Sequence, residues 1–168
     1  MSKVIKVAII LLSGLFVSLP IVVAADTASV SATVTAQNVS VTVSDGSIAY
    51  GIIPAGTSKS TTTADLNDLQ TATNAGNVAE DINIKGANSS AWTLGATAGV
   101  DQYVHKFCVT SCTTPPTNYT ALTTNYSTLK SNLGVGANQT FDLQITTPTS
   151  TTTYTQQVVD VTVQAVAH

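Results

Sequence analysis

From residue 29 onward the chain alternates, again and again, between an apolar residue and a hydroxyl or amide. Val30, Ala32, Val34 and Ala36 alternate with Ser29, Ser31, Thr33 and Thr35. After Gln37-Asn38 the phase flips, and Val39, Val41 and Val43 alternate with Ser40, Thr42 and Ser44. The pattern returns at Ile82 and Ile84, at Phe141, Leu143 and Ile145, and at Val159, Val161, Val163 and Ala165. Successive side chains of a strand point to opposite faces, so this period, rich in β-branched residues, specifies strands with one buried face. The phase flip fits either two strands or one strand broken by a bulge. Turn residues separate the runs at Ser44-Asp45-Gly46, Pro54-Ala55-Gly56, Asn74-Ala75-Gly76-Asn77, Lys85-Gly86-Ala87-Asn88 and Gly134-Val135-Gly136. The expected fold is all-β: an antiparallel two-sheet immunoglobulin-like sandwich of seven to nine strands. No helical stripe interrupts it. Ala64 to Ala72 reads as a loop entering a strand, Ser127 to Leu133 as a short turn, and the threonine-rich Thr146 to Thr155 as a hairpin connection.

The start of the chain has a different grammar. Lys3 and Lys6 precede the apolar Val7 to Leu12 and Leu15 to Leu19, and small residues follow at Val22 to Ala25. That order is read by signal peptidases, with cleavage expected after Ala24 or Ala25. An uncleaved anchor is the alternative, against which Pro20 breaks the helix just before the cleavage site. Leu11-Leu12-Ser13-Gly14 opens like a lipobox, but Leu15 stands where the acylated cysteine belongs. The division is therefore a signal peptide over 1–25 and a single domain over 26–168, secreted or held at the cell surface. With no sorting motif visible, attachment is expected to be non-covalent or absent.

Charge narrows the function classes. Without Lys3 and Lys6, four lysines and no arginine face nine acids, a net charge of −5. A basic footprint for nucleic acid or anionic lipid is lacking, and no membrane association is expected after cleavage. Only 9% of residues are charged, so solubility falls to Thr, Ser, Asn and Gln. Cys108 and Cys112 are the only cysteines. An exported chain favours their pairing in a disulfide that pins a local turn. Half of a zinc site is the alternative, but with two histidines in the chain it would need carboxylates.

Catalytic signatures are missing. His105 is the one internal histidine, in a strand-like run where it is expected to be half-exposed, and no Gly-x-Ser-x-Gly elbow, phosphate loop or dinucleotide fingerprint occurs. The acids Asp65, Asp68, Glu80, Asp81, Asp101, Asp142 and Asp160 are expected mostly in turns or on outward strand positions. Asp65-Leu66-Asn67-Asp68 with Asp101 offers oxygen ligands but lacks calcium-loop spacing. No enzyme activity, metal or cofactor is expected. Sequons at Asn38, Asn88, Asn118, Asn125 and Asn138 permit glycosylation.

Ile48-Ala49-Tyr50-Gly51-Ile52-Ile53-Pro54-Ala55-Gly56-Thr57-Ser58 and Thr73-Asn74-Ala75-Gly76-Asn77-Val78-Ala79-Glu80-Asp81-Ile82 resemble exported microbial surface domains of the Hydin-type immunoglobulin-like class. The resemblance implies a sandwich in which these residues build strands and turns. Ala91-Trp92-Thr93-Leu94 is similar to half of the paired motif of WxL cell-wall-binding proteins; the second Trp is absent, as Val161-Thr162-Val163 stands near the C-terminus.

Three functions follow in order. The first is a structural or adhesive surface protein, a self-assembling filament or surface-layer subunit that associates with itself or with other surface proteins. In it, Val30, Ala32, Val34 and Ala36 form a candidate donor strand completing a neighbour's sheet; an ordinary first strand of the same domain is the alternative. The second is a glycan or cell-wall-polymer binding module, with Trp92 as the candidate ligand-facing aromatic, otherwise a core anchor, and Tyr50, Tyr103, Tyr119, Tyr126 and Tyr154 beside it. A secreted hydrolase comes third.

Overall fold

The computed structural model describes residues 26–168. The expected signal peptide and its cleavage residues Ala24 and Ala25 lie outside the described residues. The chain divides into two units, Met1–Val34 and Thr35–His168. Of the first, Asp26 to Val34 carries no strand or helix and its side chains are exposed.

The second unit is all-β, with two sheets, one of them curled. Its strands are β1 (Val41–Val43), β2 (Ser58–Ser60), β3 (Gln70–Asn74), β4 (Glu80–Gly86), β5 (Thr93–Leu94), β6 (Gln102–Cys108), β7 (Thr120–Ala121), β8 (Ser127–Leu133), β9 (Asn138–Thr146) and β10 (Val161–Ala167). There are ten strands among the described residues, more than the seven to nine expected, because short polar pieces such as β2, β5 and β7 pair without an apolar alternation to betray them. The larger sheet runs β1-β3-β9-β6-β5, with β2 also on β9 and β7 on β6; the smaller runs β10-β4-β8. Pairing is antiparallel except that β5 lies parallel to β6, so the purely antiparallel expectation is corrected at that edge.

The long alternating runs behave as strands with one inner face. β4 turns Ile82 and Ile84 into the core, both fully buried. β9 contributes Phe141, Leu143 and Ile145, and β10 turns Val161, Val163 and Ala165 inward while Thr162 and Gln164 are exposed. The main core joins Ala72, Ile82, Ile84, Phe107, Leu122, Leu129, Leu133, Phe141 and Leu143; a second cluster is built on Tyr50, Tyr103 and Ile145. Two expectations fail here. Ser127 to Leu133 is strand β8, not a turn. Its alternation is disguised by register irregularities against β4 and by Asn132 at φ 50°. Thr146 to Thr155 does not close a hairpin: β9 and β10 belong to different sheets, so this stretch begins a crossover between them.

Asn74 holds the β3–β4 turn. It is buried, its amide donates to Val78 O (2.8 Å) and Leu133 O (2.9 Å), and its Oδ1 accepts from Gly76 N (2.9 Å). Asn77 acts on the chain entering β1: its Nδ2 donates to Ala36 O (2.8 Å) and its Oδ1 accepts from Asn38 N (2.8 Å). Gly76 is obligatory for close approach, since a Cβ there would collide with Asn38 O and Glu80 Oε1. Through that gap Glu80, fully buried, accepts Ser40 N at 2.7 Å. Glu80 is thus inside, contrary to the outward placement expected of the acids. Asp142 is also buried, because the loop after β2 covers the outer face of β9 and Thr61 Oγ1 donates to its carboxylate at 2.8 Å.

Candidate functional site: an open groove above the second core cluster

A groove of about 950 Å³ runs over the inner face of β9. One wall is Gly46 to Ile53, the chain between β1 and β2; the other is Thr151 to Val163, the crossover and the start of β10. Its floor holds Phe141, Leu143, Ile145 and His105. Tyr50, Ile145, Ile48, Ile53, Trp92 and Val159 belong to the second core cluster and also line the groove.

Both walls lack ladders up to the start of β10. Among the described residues, no backbone group of Ile48 to Ile53 or of Thr151 to Asp160 bonds another backbone group. β10 pairs with β4 on one side and with no described strand on the other. Exposed N–H and C=O groups along a sheet edge are a template for another strand. Apolar residues nonetheless stand in these walls: Ile52 and Val158 are exposed, and Tyr154 is 87% exposed.

The walls are held by side chains instead. Asp101, at φ 50°, accepts Thr151 Oγ1 (2.7 Å), Thr152 N (2.9 Å) and Thr152 Oγ1 (3.0 Å), which holds its carboxyl below the ordinary aspartate value. Thr151 Oγ1 in turn accepts the Trp92 indole N–H at 3.0 Å. Gln157 Oε1 accepts Ser89 Oγ (2.9 Å), Ser90 Oγ (2.9 Å) and Ala91 N (3.1 Å). On the opposite wall Lys59 Nζ donates to Tyr50 O at 2.9 Å.

His105, expected half-exposed, is buried. β6 lies inside the sheet, and residues 103, 105 and 107 share its inner face. Its Nε2 meets Tyr50 Oη at 3.1 Å, the rings edge to face with centroids 5.8 Å apart, and Nδ1 has no partner among the described residues. Burial depresses the imidazole to about 4 and raises the Tyr50 phenol. The hydroxyl that His105 Nε2 meets is thus a phenol held in its neutral form, not a serine that the imidazole could activate.

Cys108 and Cys112 form the disulfide, Cα atoms 5.7 Å apart, at the end of β6. Trp92 is half-buried at the groove, not a fully enclosed anchor. The tyrosines are dispersed: Tyr50 and Tyr154 line the groove, Tyr103 is buried, Tyr126 packs under Lys85 Nζ at 4.6 Å, and Tyr119 donates to Cys112 O at 3.2 Å. Asp65 is engaged by Ser60 N (2.8 Å) and Ser60 Oγ (2.6 Å), away from the bonds that hold Asp101. Val30 and Val34 are 93% and 97% exposed, and no residue from Ser29 to Ala36 is in a strand. Sequence reasoning missed the two unpaired walls. The one available signal was Ile48 to Ile53, five apolar residues out of six without strict alternation.

No family model matches the chain, and no characterised protein or solved structure is significantly similar to it.

Proposed function

We propose that this chain is an exported, non-enzymatic structural subunit, an incomplete immunoglobulin-like sandwich that assembles with its own kind outside the cell or at its surface. The observation that carries this reading is the open groove: an apolar core cluster flanked by backbone that pairs with nothing described. An unpaired apolar edge on a monomer invites association, and a chain with so few charges does little to prevent it. The signal-like start and the Hydin-type resemblance fit export and a sandwich. The buried His105 next to a neutral phenol offers no nucleophile, which disfavours the hydrolase. A glycan module is supported less well, because the six aromatics form no common face.

Two measurements test it. N-terminal sequencing of the secreted protein should find Ala25 or Asp26 first. Light scattering and electron microscopy of that protein should find polymers. A monomer at all concentrations that binds cell walls would replace this reading with the binding module.

A further inference from the structure

Resting on the assembly reading, we propose that the groove is a docking site for residues Asp26 to Thr35 of a second copy of this chain, inserted as a β-strand with Val30, Ala32 and Val34 facing the core cluster. Three observations converge on this occupant. The segment alternates strictly, so one edge of its pleat is apolar and the other is Ser29, Ser31, Thr33 and Thr35, as a strand between a core and solvent requires. Its valines are almost fully exposed, and no backbone hydrogen bond to it occurs among the described residues. The groove is a match in charge as well: Asp160 is its one acidic lining residue and no lysine lines it, while the segment beyond Asp26 is uncharged.

The length is suitable. Asn77 grips Ala36 O and Asn38 N of its own chain, so Ala36 is the anchor of the arm and the free part is Asp26 to Thr35. Ten extended residues reach about 33 Å. Strand addition would supply backbone partners to a groove wall or to the free edge of β10, and the alternate side chains would give register. Each copy has one arm and one groove, so the contact is head-to-tail and builds an open chain of subunits unless the rotation closes a ring.

The test uses the chain from Asp26 onward, in two single variants that are mixed: Ala32→Cys in one and Ile52→Cys in the other. Both positions are exposed in the single chain, so neither substitution disturbs that chain's own core. A short thiol cross-linker should give a covalent 32–52 heterodimer, identified by mass spectrometry. Adding Val30→Asp and Val34→Asp to the first chain should abolish it, each weakening docking about a hundredfold, with an unchanged circular dichroism spectrum. Polymers that persist in the Val30→Asp/Val34→Asp chain without cross-linking would overturn strand donation while leaving assembly intact. A wild-type chain that never assembles would sink the assembly reading itself. Cross-linking confined to a single chain carrying both cysteines would mean that the arm closes its own groove, and would overturn the exchange between copies.

Discussion

Acidification should destabilise this protein through His105. The imidazole is 1% exposed and burial lowers it from 6.5 to about 4. As the pH falls, the unfolded chain takes up the proton first and the folded one resists it. Stability is therefore complete above about pH 6.5, is lost from there down to about pH 4, and is flat below for this group. The gap between 6.5 and about 4 corresponds to about 3 kcal/mol. Asp65, Asp81 and Asp101 are held below their ordinary values by hydrogen bonds, so their contributions are lost only as the pH falls below the unfolded aspartate value of about 4. The interval between pH 6.5 and 4.5 lies within the range of the histidine and above that of these three aspartates. Urea unfolding in that interval should show the midpoint dropping by about 1 M. The variant Tyr50→Phe/His105→Phe removes both members of the buried hydrogen bond and the unpartnered Nδ1 together. It should fold at pH 7 within about 1 kcal/mol of wild type and lose the slope. His168 and its Asp81 contact, 2.8 Å, are present in both proteins and cancel in the difference. A wild-type midpoint that stays constant between pH 6.5 and 4.5, or a double variant that keeps the slope, would refute the reasoning.

Other perturbations read different parts of the molecule. Ile84→Ala empties a fully buried site in the main core and should cost about 2–5 kcal/mol by chemical denaturation. Cys108→Ser/Cys112→Ser opens a loop of sequence separation 4, so the loss should be about 2 kcal/mol or less, with the fold retained by circular dichroism. Gly76→Ala should disturb the Asn38–Glu80 approach and expose the Ser40 amide, seen as faster hydrogen exchange across β1 while β4 and β9 remain protected.

Much of the scaffold was legible because β4, β9 and β10 keep strict alternation, and a period of two has one structural meaning. The glycine turns were equally plain: Gly46, Gly56 and Gly136 all have φ near +70°, which a side chain resists. The disulfide was expected from two cysteines in a chain whose start reads as an export signal. Other features depend on partners distant in sequence. β2, β5 and β7 exist because β9 or β6 offers an edge, and the parallel pairing of β5 has no local signature. In β8, Leu129 and Leu133 are four apart, a helical spacing that arises here from a strand with an irregular register. His105 sits in an alternating run whose inner face could not be told from its outer one. Asp142 does lie on the outer face of β9; it is buried because the loop carrying Thr61 covers it, which no periodicity reports. The groove was least legible of all, since it is defined by pairing that the described chain does not supply.

If the arm docks as proposed, Asp26 to Thr35 becomes a strand only in the assembled state. Hydrogen–deuterium exchange of the polymer, read on the amides of Ser29 to Thr35 against a dilute monomer, tests it most directly. We predict alternating protection along this segment and new protection in Ile48 to Ile53 or Thr151 to Val163 upon assembly. Amides that exchange in the polymer as fast as in the monomer would contradict the account.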